Sequence, residues 1–418
     1  MKYDRVEIED LRTGKTPYRY DKLGQIQLAG QERFAFDPAH NLIERESERI
    51  QTNQVTAYQG MTYHYDEFGN LSQRTLKDGE VQTYHYNAKD KLIKAIIQKP
   101  NQAIETWQYQ YDVLGRRIGK VRLENGEVLP NTQKQFIWDG SHLVQEIEHK
   151  TDRTFTYIYS HPNSYEPLAQ LVFAKGNETP TACYYYHNDQ IGIPRELTDE
   201  QGKLCWYGNY NGWGKLRESY DLTEEKFIHQ PFRLQNQYAD EETGLHYNFF
   251  RYYEPNIGRF TQLDPIGLAG GENFYWFAEN TQTYVDLLGL WKYHGNWCGP
   301  DWTGGRKESY GKERDHNGYY LSPISQLDSA CKQHDICYAQ CRENFKCNGD
   351  SKAECMEKCD HDLVSSSENI NSEQNSSNSE RFGLERIIGL HLGVERLPDK
   401  TCPNYKTEKL IRTYPIIM

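Results

Sequence analysis

Four groups able to do chemistry crowd into Cys331-Lys332-Gln333-His334-Asp335-Ile336-Cys337-Tyr338. An imidazole beside a carboxylate suits general-base or metal-assisted hydrolysis. The cysteines, three residues to either side of His334, fall within one helical turn of it. Pro323 in a first turn, with Leu327, Cys331, Ile336 and Cys337 as a half-buried face, predicts a helix running to about Asn344. A polar break at Lys346–Asp350 precedes a second helix expected over 351–365.

If these helices are antiparallel and turn near residue 348, positions equidistant from that point face each other. Cys337 then meets Cys359 and Cys341 meets Cys355, two feasible disulfides in one register. The same register sets His334 opposite the segment from Asp360 to Asp362. A histidine oriented by a carboxylate is a general base. Asp335, one position round the helix, is expected to point elsewhere and to be free for a metal. The competing reading is a zinc site of His334, His361 and cysteines, but no CxxC pair occurs and aspartate with carbonyl ligands suits calcium.

Upstream, Trp297-Cys298-Gly299-Pro300-Asp301-Trp302-Thr303-Gly304-Gly305 is too rich in Gly and Pro for a helix or central strand. A loop of this kind can aim several carbonyls at one hard cation. Eight of the ten cysteines lie between Cys298 and Cys402, which marks a domain of its own and an oxidising place of action. Residues 365–380 read as a polar linker, and Phe382 to Leu392 as an amphipathic segment that packs on its own core or touches lipid. Cys347 and Cys402 are left over, to pair with each other or stay free.

The segment Cys331-x-x-His334-Asp335-x-Cys337-Tyr338 resembles the signature of secreted phospholipase A2, together with Pro323-x-x-x-Leu327-Asp328 and Cys359-Asp360. The Trp297-Cys298-Gly299 loop is most similar to the bee-venom branch. The resemblance implies that His334 deprotonates the attacking water, Asp360 holds the imidazole and Tyr338 hydrogen-bonds Asp360. It implies Ca²⁺ held by Asp335 and by the carbonyls of Trp297, Gly299 and Asp301, with the Gly299 N–H helping the cation to stabilise the oxyanion. Disulfides Cys298–Cys331 and Cys337–Cys359 are implied as well. This chain departs from that pattern in Asp301 where glycine is usual, in Ala330 where a cysteine is usual, and in the insert from Arg306 to Tyr320.

Something must carry such a module. Before residue 255 an aromatic-x-aromatic-Asp unit recurs: Tyr18-Arg19-Tyr20-Asp21, Phe34-Ala35-Phe36-Asp37, Tyr63-His64-Tyr65-Asp66 and Tyr109-Gln110-Tyr111-Asp112, with weaker copies from Tyr84, Phe136, Tyr157 and Tyr184. Aromatics at i and i+2 share a strand face, and the Asp with a following Gly makes a tight turn. One hairpin per copy cannot bury a face alone, so the hairpins must stack. The 32 tyrosines against four methionines fit half-exposed strands that bury amphipathic rings.

These repeats resemble the tyrosine-aspartate (YD) repeats of the Rhs family, which wind into a hollow β-shell. His187 to Asp199, Tyr210-Asn211-Gly212-Trp213-Gly214 and Arg251-Tyr252-Tyr253-Glu254-Pro255 to Phe260 are similar to its core. The expected fold is therefore an antiparallel β-hairpin shell over 1–255, part of a longer one, then a closing motif at 256–290 and a small helical, disulfide-rich domain over 291–418. Asp264-Pro265-Ile266-Gly267-Leu268 and Asp286-Leu287-Leu288-Gly289-Leu290 resemble the end of the core, where relatives cut themselves. The resemblance implies Asp264 and Asp286 as acid and base and Leu290–Trp291 as the scissile bond. The alternative is that Asp264 merely opens an Asp-Pro turn.

A net charge of −12 offers no basic field, so nucleic acid is not expected as a partner. No apolar run is long enough to span a membrane, and Met1-Lys2-Tyr3-Asp4-Arg5 does not begin a signal peptide. The expectation is a toxin that hydrolyses the sn-2 ester of membrane glycerophospholipids. By family analogy it is held in the producer's cytoplasm with an immunity protein and delivered to a target cell by a secretion apparatus such as type VI, for competition between bacteria. The alternative is a non-catalytic cell-surface binding or adhesion module.

Overall fold

The structure is a computed structural model that describes residues 7–290 apart from 11, 13, 23, 46–49, 163 and 225–227. Beyond 290 it describes 293–294, 302–303, 306–307, 320, 326–344 and helical positions between 355 and 366. From Ala57–Tyr58 to Leu216–Asp221 the strands pair antiparallel in sequence order, forming one 16-stranded sheet with a single short strand, Glu127–Val128, off its main path. A 4-stranded sheet, Glu7–Asp10 to Glu32–Arg33, and the pair Ala35–Phe36 with Leu42–Ile43 precede it.

Each tyrosine-aspartate unit is a small machine for turning the chain. Its first aromatic is buried, as at Tyr63, Tyr84, Tyr109, Phe136 and Tyr157. A register shift then falls immediately before the second aromatic, at His64/Tyr65, His85/Tyr86, Gln110/Tyr111, Ile137/Trp138 and Ile158/Tyr159. The bulge re-aims that side chain. Its polar tip donates to a carbonyl of the preceding repeat: Tyr65 to Val55 (3.1 Å), Tyr86 to Leu71 (2.8 Å), Tyr111 to Leu92 (2.7 Å), Tyr159 to Leu143 (3.0 Å) and Tyr210 to Pro194 (2.8 Å). Trp138 does the same to the Arg117 carbonyl through its indole N–H at 2.7 Å.

The acidic or amide residue that follows caps the turn. Asp112 Oδ1 accepts the N–H groups of Leu114 (3.0 Å) and Arg116 (2.9 Å), and Asp66, Asn87, Asp189 and Asn211 repeat the pattern. Gly115 completes it at φ +80, a conformation that costs other residues. The copy expected from Tyr184 is displaced by two residues. Tyr186 is its buried aromatic, the shift lies at His187/Asn188, and Asn188 takes the second aromatic's role by donating to Pro167 O at 2.9 Å.

The hairpin meander ends at Asp221, earlier than the expected 255. From 228 the chain turns onto the sheet, because Phe232, Tyr238, Leu245, Tyr247, Tyr252 and Ile257 pack in one cluster with the first aromatics of the repeats. In this chain the sheet's aromatic face is thus filled by the chain's own residues. Buried ions pin them down. Arg74 pairs with Glu254, Arg117 with Asp240, and Lys120 with Asp240 (2.8 Å) and Glu242 (2.7 Å). Glu146, fully buried, accepts from Lys134 (3.0 Å), His229 (2.8 Å), Tyr157 (3.1 Å) and Tyr238 (3.0 Å). Such ions must be paired and hydrogen-bonded to be tolerated.

Beyond the closing motif (the seam between shell and C-terminal domain), helix α1 spans Gln326–Asn344 and ends where the sequence predicts, while Pro323 lies outside the described residues. Cys355, Met356, Lys358, Cys359, His361, Asp362, Leu363, Ser365 and Ser366 are helical as well.

Candidate functional sites: a buried carboxylate pair and a clamped histidine

Asp264 and Asp286 are both buried, and Arg251 lies between them. Its Nη2 is 3.1 Å from Asp264 and 3.6 Å from Asp286. Its Nε donates to Gly289 O at 2.5 Å and its Nη1 to Phe274 O at 2.9 Å, while the guanidinium lies over the Phe260 ring at 3.6 Å. Burial pushes the Asp286 carboxyl up to about 6, against the pull of Arg251 and of the Leu290 N–H, and nearby Asp264 adds to the rise. Burial lowers the Arg251 guanidinium against the opposing pull of both aspartates.

The segment before the expected cut is gripped along its backbone. The carbonyls of Asp286, Leu287, Leu288 and Gly289 accept from Asn248 Nδ2 (2.9 Å), Asn236 Nδ2 (2.6 Å), the Phe250 N–H (3.1 Å) and Arg251 Nε. Asp286 Oδ1 in turn accepts the N–H groups of Leu288 (3.3 Å) and Leu290 (3.0 Å). Gly289 has φ +68, and a Cβ there would lie 2.8 Å from Asn248 O. Tyr284–Val285 pairs antiparallel with Tyr293–His294, so the expected cut lies between these two strands in the sequence. The sequence pattern points to both aspartates but not to Asn236, Asn248 and Arg251, which are distant along the chain. The only signal for Arg251 is its place in the core-like stretch Arg251 to Phe260.

On α1, His334 is 5% exposed. Its ring packs on Tyr338 with centroids 4.3 Å apart, and its Nδ1 lies 3.8 Å from Asp335 Oδ1. Asp335 therefore stands closer to the imidazole than its position round the helix suggests. Cys337 is bonded to Cys359, with Cα atoms 5.8 Å apart, and Cys341 to Cys355 at 5.7 Å. These are the pairs that the antiparallel register gives, and Cys331 is disulfide-bonded as well. Asp360, Trp297, Cys298, Gly299 and Asp301 lie outside the described residues, as do Cys347 and Cys402.

The stacked hairpins and the closing segment define the class. The teneurin YD-shell family model matches residues 3–282, and the chain belongs to this family. Among known proteins it is similar to double-stranded DNA deaminase toxin A of Burkholderia cenocepacia (34% identical, over 69% of this chain and 22% of that protein). It is also similar to toxin protein Tse5 of Pseudomonas aeruginosa (34%, over 57% and 19%) and to the probable deoxyribonuclease RhsB of Dickeya dadantii (28%, over 65% and 19%). The chain spans about a fifth of the length of these relatives.

These names overturn the expectation that nucleic acid is not a partner, since two of the three relatives are named for action on DNA. The physical error is to average charge over the whole chain. The net −12 sums the shell and the domain after it, and says nothing about the field at one site.

Proposed function

We propose that this chain is a YD-shell toxin whose domain after residue 290 is a calcium-dependent hydrolase of the phospholipase A2 type, freed from the shell by self-cleavage between Leu290 and Trp291. The supporting observation is His334, buried beside Asp335 and Tyr338 on a helix that two disulfides clamp. That arrangement fixes an imidazole in one orientation, as a general base requires. The reading extends to an immunity protein in the producer and to a secretion apparatus that delivers the toxin to a target membrane.

Asp335 is only partly buried, and its carboxylate is a hard oxygen donor that fits a calcium ligand. The carbonyls of Trp297, Gly299 and Asp301 would complete the set. When bound, Ca²⁺ supplies positive charge to the oxyanion that develops at the ester carbonyl. His334 takes the proton of the attacking water at Nδ1, the nitrogen nearest Asp335. Asp360, by the family resemblance, would orient the ring, and Tyr338 supports it by packing on it.

For the cut between Leu290 and Trp291, the acid is Asp286, whose carboxyl burial holds up at about 6, and the base is Asp264, the division of roles that close carboxylates allow. Asp264 accepts the proton of a water that adds to the Leu290 carbonyl, and Asp286 delivers its proton to the departing Trp291 nitrogen.

The relatives' names support a second reading, in which the domain after 290 acts on nucleic acid. One experiment separates the two. The purified, oxidised chain is offered phosphatidylcholine–phosphatidylglycerol vesicles, duplex DNA and tRNA, each with calcium and with chelator. Fatty acid release that requires calcium and vanishes in His334→Ala supports the lipase. Base modification or strand scission without fatty acid release sinks it, and inertness toward all three substrates favours a non-catalytic binding module.

A further inference from the structure

We infer that Cys337, Cys341, Cys355 and Cys359 form a zinc site when the chain is reduced, and that the two disulfides are the oxidised state of that site. The argument begins with spacing. Each helix presents two cysteines four residues apart, Cys337 with Cys341 and Cys355 with Cys359, so each pair lies on one helix face. The antiparallel register brings the two faces together.

Distances between sulfurs of different disulfides carry the argument further. Cys341 Sγ and Cys359 Sγ are 3.6 Å apart, and the sulfurs of Cys337, Cys341 and Cys359 all lie within 4.8 Å of one another. A zinc ion bound by four thiolates has Zn–S bonds of about 2.3 Å, and a tetrahedron of that size has S···S edges of about 3.8 Å. The contact across the two bridges is already close to such an edge. Cys355, bonded to Cys341, lies outside that group of three sulfurs and supplies the fourth corner by rotating inward once its bridge opens.

Once the bridges open, these sulfurs must spread, which small side-chain rotations achieve while the helices stay in register. Cys341 and Cys359 are almost fully buried against Met356. Four thiols at this density repel one another once ionised and gain from a cation between them. Soft thiolates select zinc over calcium or magnesium. The site is separate from the proposed calcium ligands, and it begins one helical turn after His334.

Loss of the metal and oxidation are one exchange. A zinc tetrathiolate of charge −2 reacts with two molecules of a small-molecule disulfide to give two protein disulfides, Zn²⁺ and four small thiolates, which balances both charge and sulfur. The helix pair around His334 is thereby held in reducing and in oxidising surroundings alike, by metal in the first and by covalent bonds in the second.

The test uses the full chain, reduced and purified without oxygen. It should carry one zinc per chain by mass spectrometric metal analysis, and Co²⁺ in its place should give the strong near-ultraviolet absorption of a tetrathiolate centre. Oxidised glutathione should release the metal in step with the loss of four titratable thiols. Cys183→Ser and Cys205→Ser, at the two free cysteines of the sheet, should leave zinc content unchanged. Cys341→Ser should weaken zinc at least tenfold and change the cobalt spectrum to that of three thiolates. A reduced chain with all thiols titratable and no zinc at micromolar concentrations overturns the inference. So does full zinc content in a chain with all four cysteines replaced by serine.

Discussion

The Arg251 guanidinium lies 3.1 Å from the Asp264 carboxylate, within a few ångströms of a second buried carboxylate, Asp286. One cation faces two buried potential anions. Burial, more than repulsion from Asp264, holds the Asp286 carboxyl up at about 6 against the pull of Arg251, so Asp286 carries a proton below about pH 6.

A pH dependence of self-cleavage follows. The proposed acid role needs Asp286 protonated, and its protonated fraction falls about tenfold per pH unit above its pKa of about 6. Processing of freshly refolded chain should therefore be fastest near or below pH 6 and should slow as pH rises to 8. Asp264→Asn and Asp286→Asn should both leave one band on a denaturing gel. Two bands from either variant, or a rate that climbs between pH 6 and 8, would rule out these roles.

Glu146 gives the opposite sign. Burial alone would raise its carboxyl, but His229 and Lys134 outweigh burial and hold it well below the usual carboxylate range. A carboxylate depressed in the folded state contributes stability that is complete above its unfolded pKa, near 4.5, and is lost as pH falls toward the folded value. Glu146→Ala leaves Lys134 and His229 facing an empty buried position, at a cost of about 3–5 kcal/mol. Glu146→Gln should lose less at neutral pH and show a shallower loss of stability between about pH 5 and pH 3. Urea titrations across that range measure both.

The hydroxyl ladder predicts a finer effect. Tyr111→Phe removes the donor to Leu92 O and the 3.2 Å contact with Tyr252 Oη, leaving an acceptor without its partner. The expected loss is about 1–3 kcal/mol. Tyr185→Phe, on an exposed ring of the same sheet, should change stability by less than about 0.5 kcal/mol. Equal effects from the two substitutions would show that the ladder adds nothing beyond ring burial.

Local rules make the hairpins legible in the sequence itself. The aromatic pair, the aspartate and the glycine act within a few residues of one another, so their period appears in one dimension. The disulfide register is legible for a similar reason, since two helices and one turn leave a single free parameter. What stays hidden depends on long-range folding. Arg251 meets Asp286 across 35 positions of sequence, and Arg117 meets Asp240 across 123. The phase of the copy at Tyr184–Tyr186 is hidden too, because three consecutive tyrosines fit either phase until burial chooses one.

Gly289 offers the sharpest separation of geometry from chemistry at the seam. It carries no titratable group, yet its φ of +68 is one that a side chain disfavours, and an added Cβ would lie 2.8 Å from Asn248 O. Asn248 is the residue whose side-chain amide holds Asp286 O, so displacing its backbone loosens the carboxylate pair. Gly289→Ala should therefore cut the processing rate at least tenfold at pH 6, a change of about 1.4 kcal/mol in the barrier. The rate should keep the wild-type pH profile, because Asp286 stays buried. Global stability should fall by about 1–3 kcal/mol, the usual cost of a strained backbone position. A normal rate in this variant would mean that the gripped backbone closes the fold without positioning the carboxylate pair.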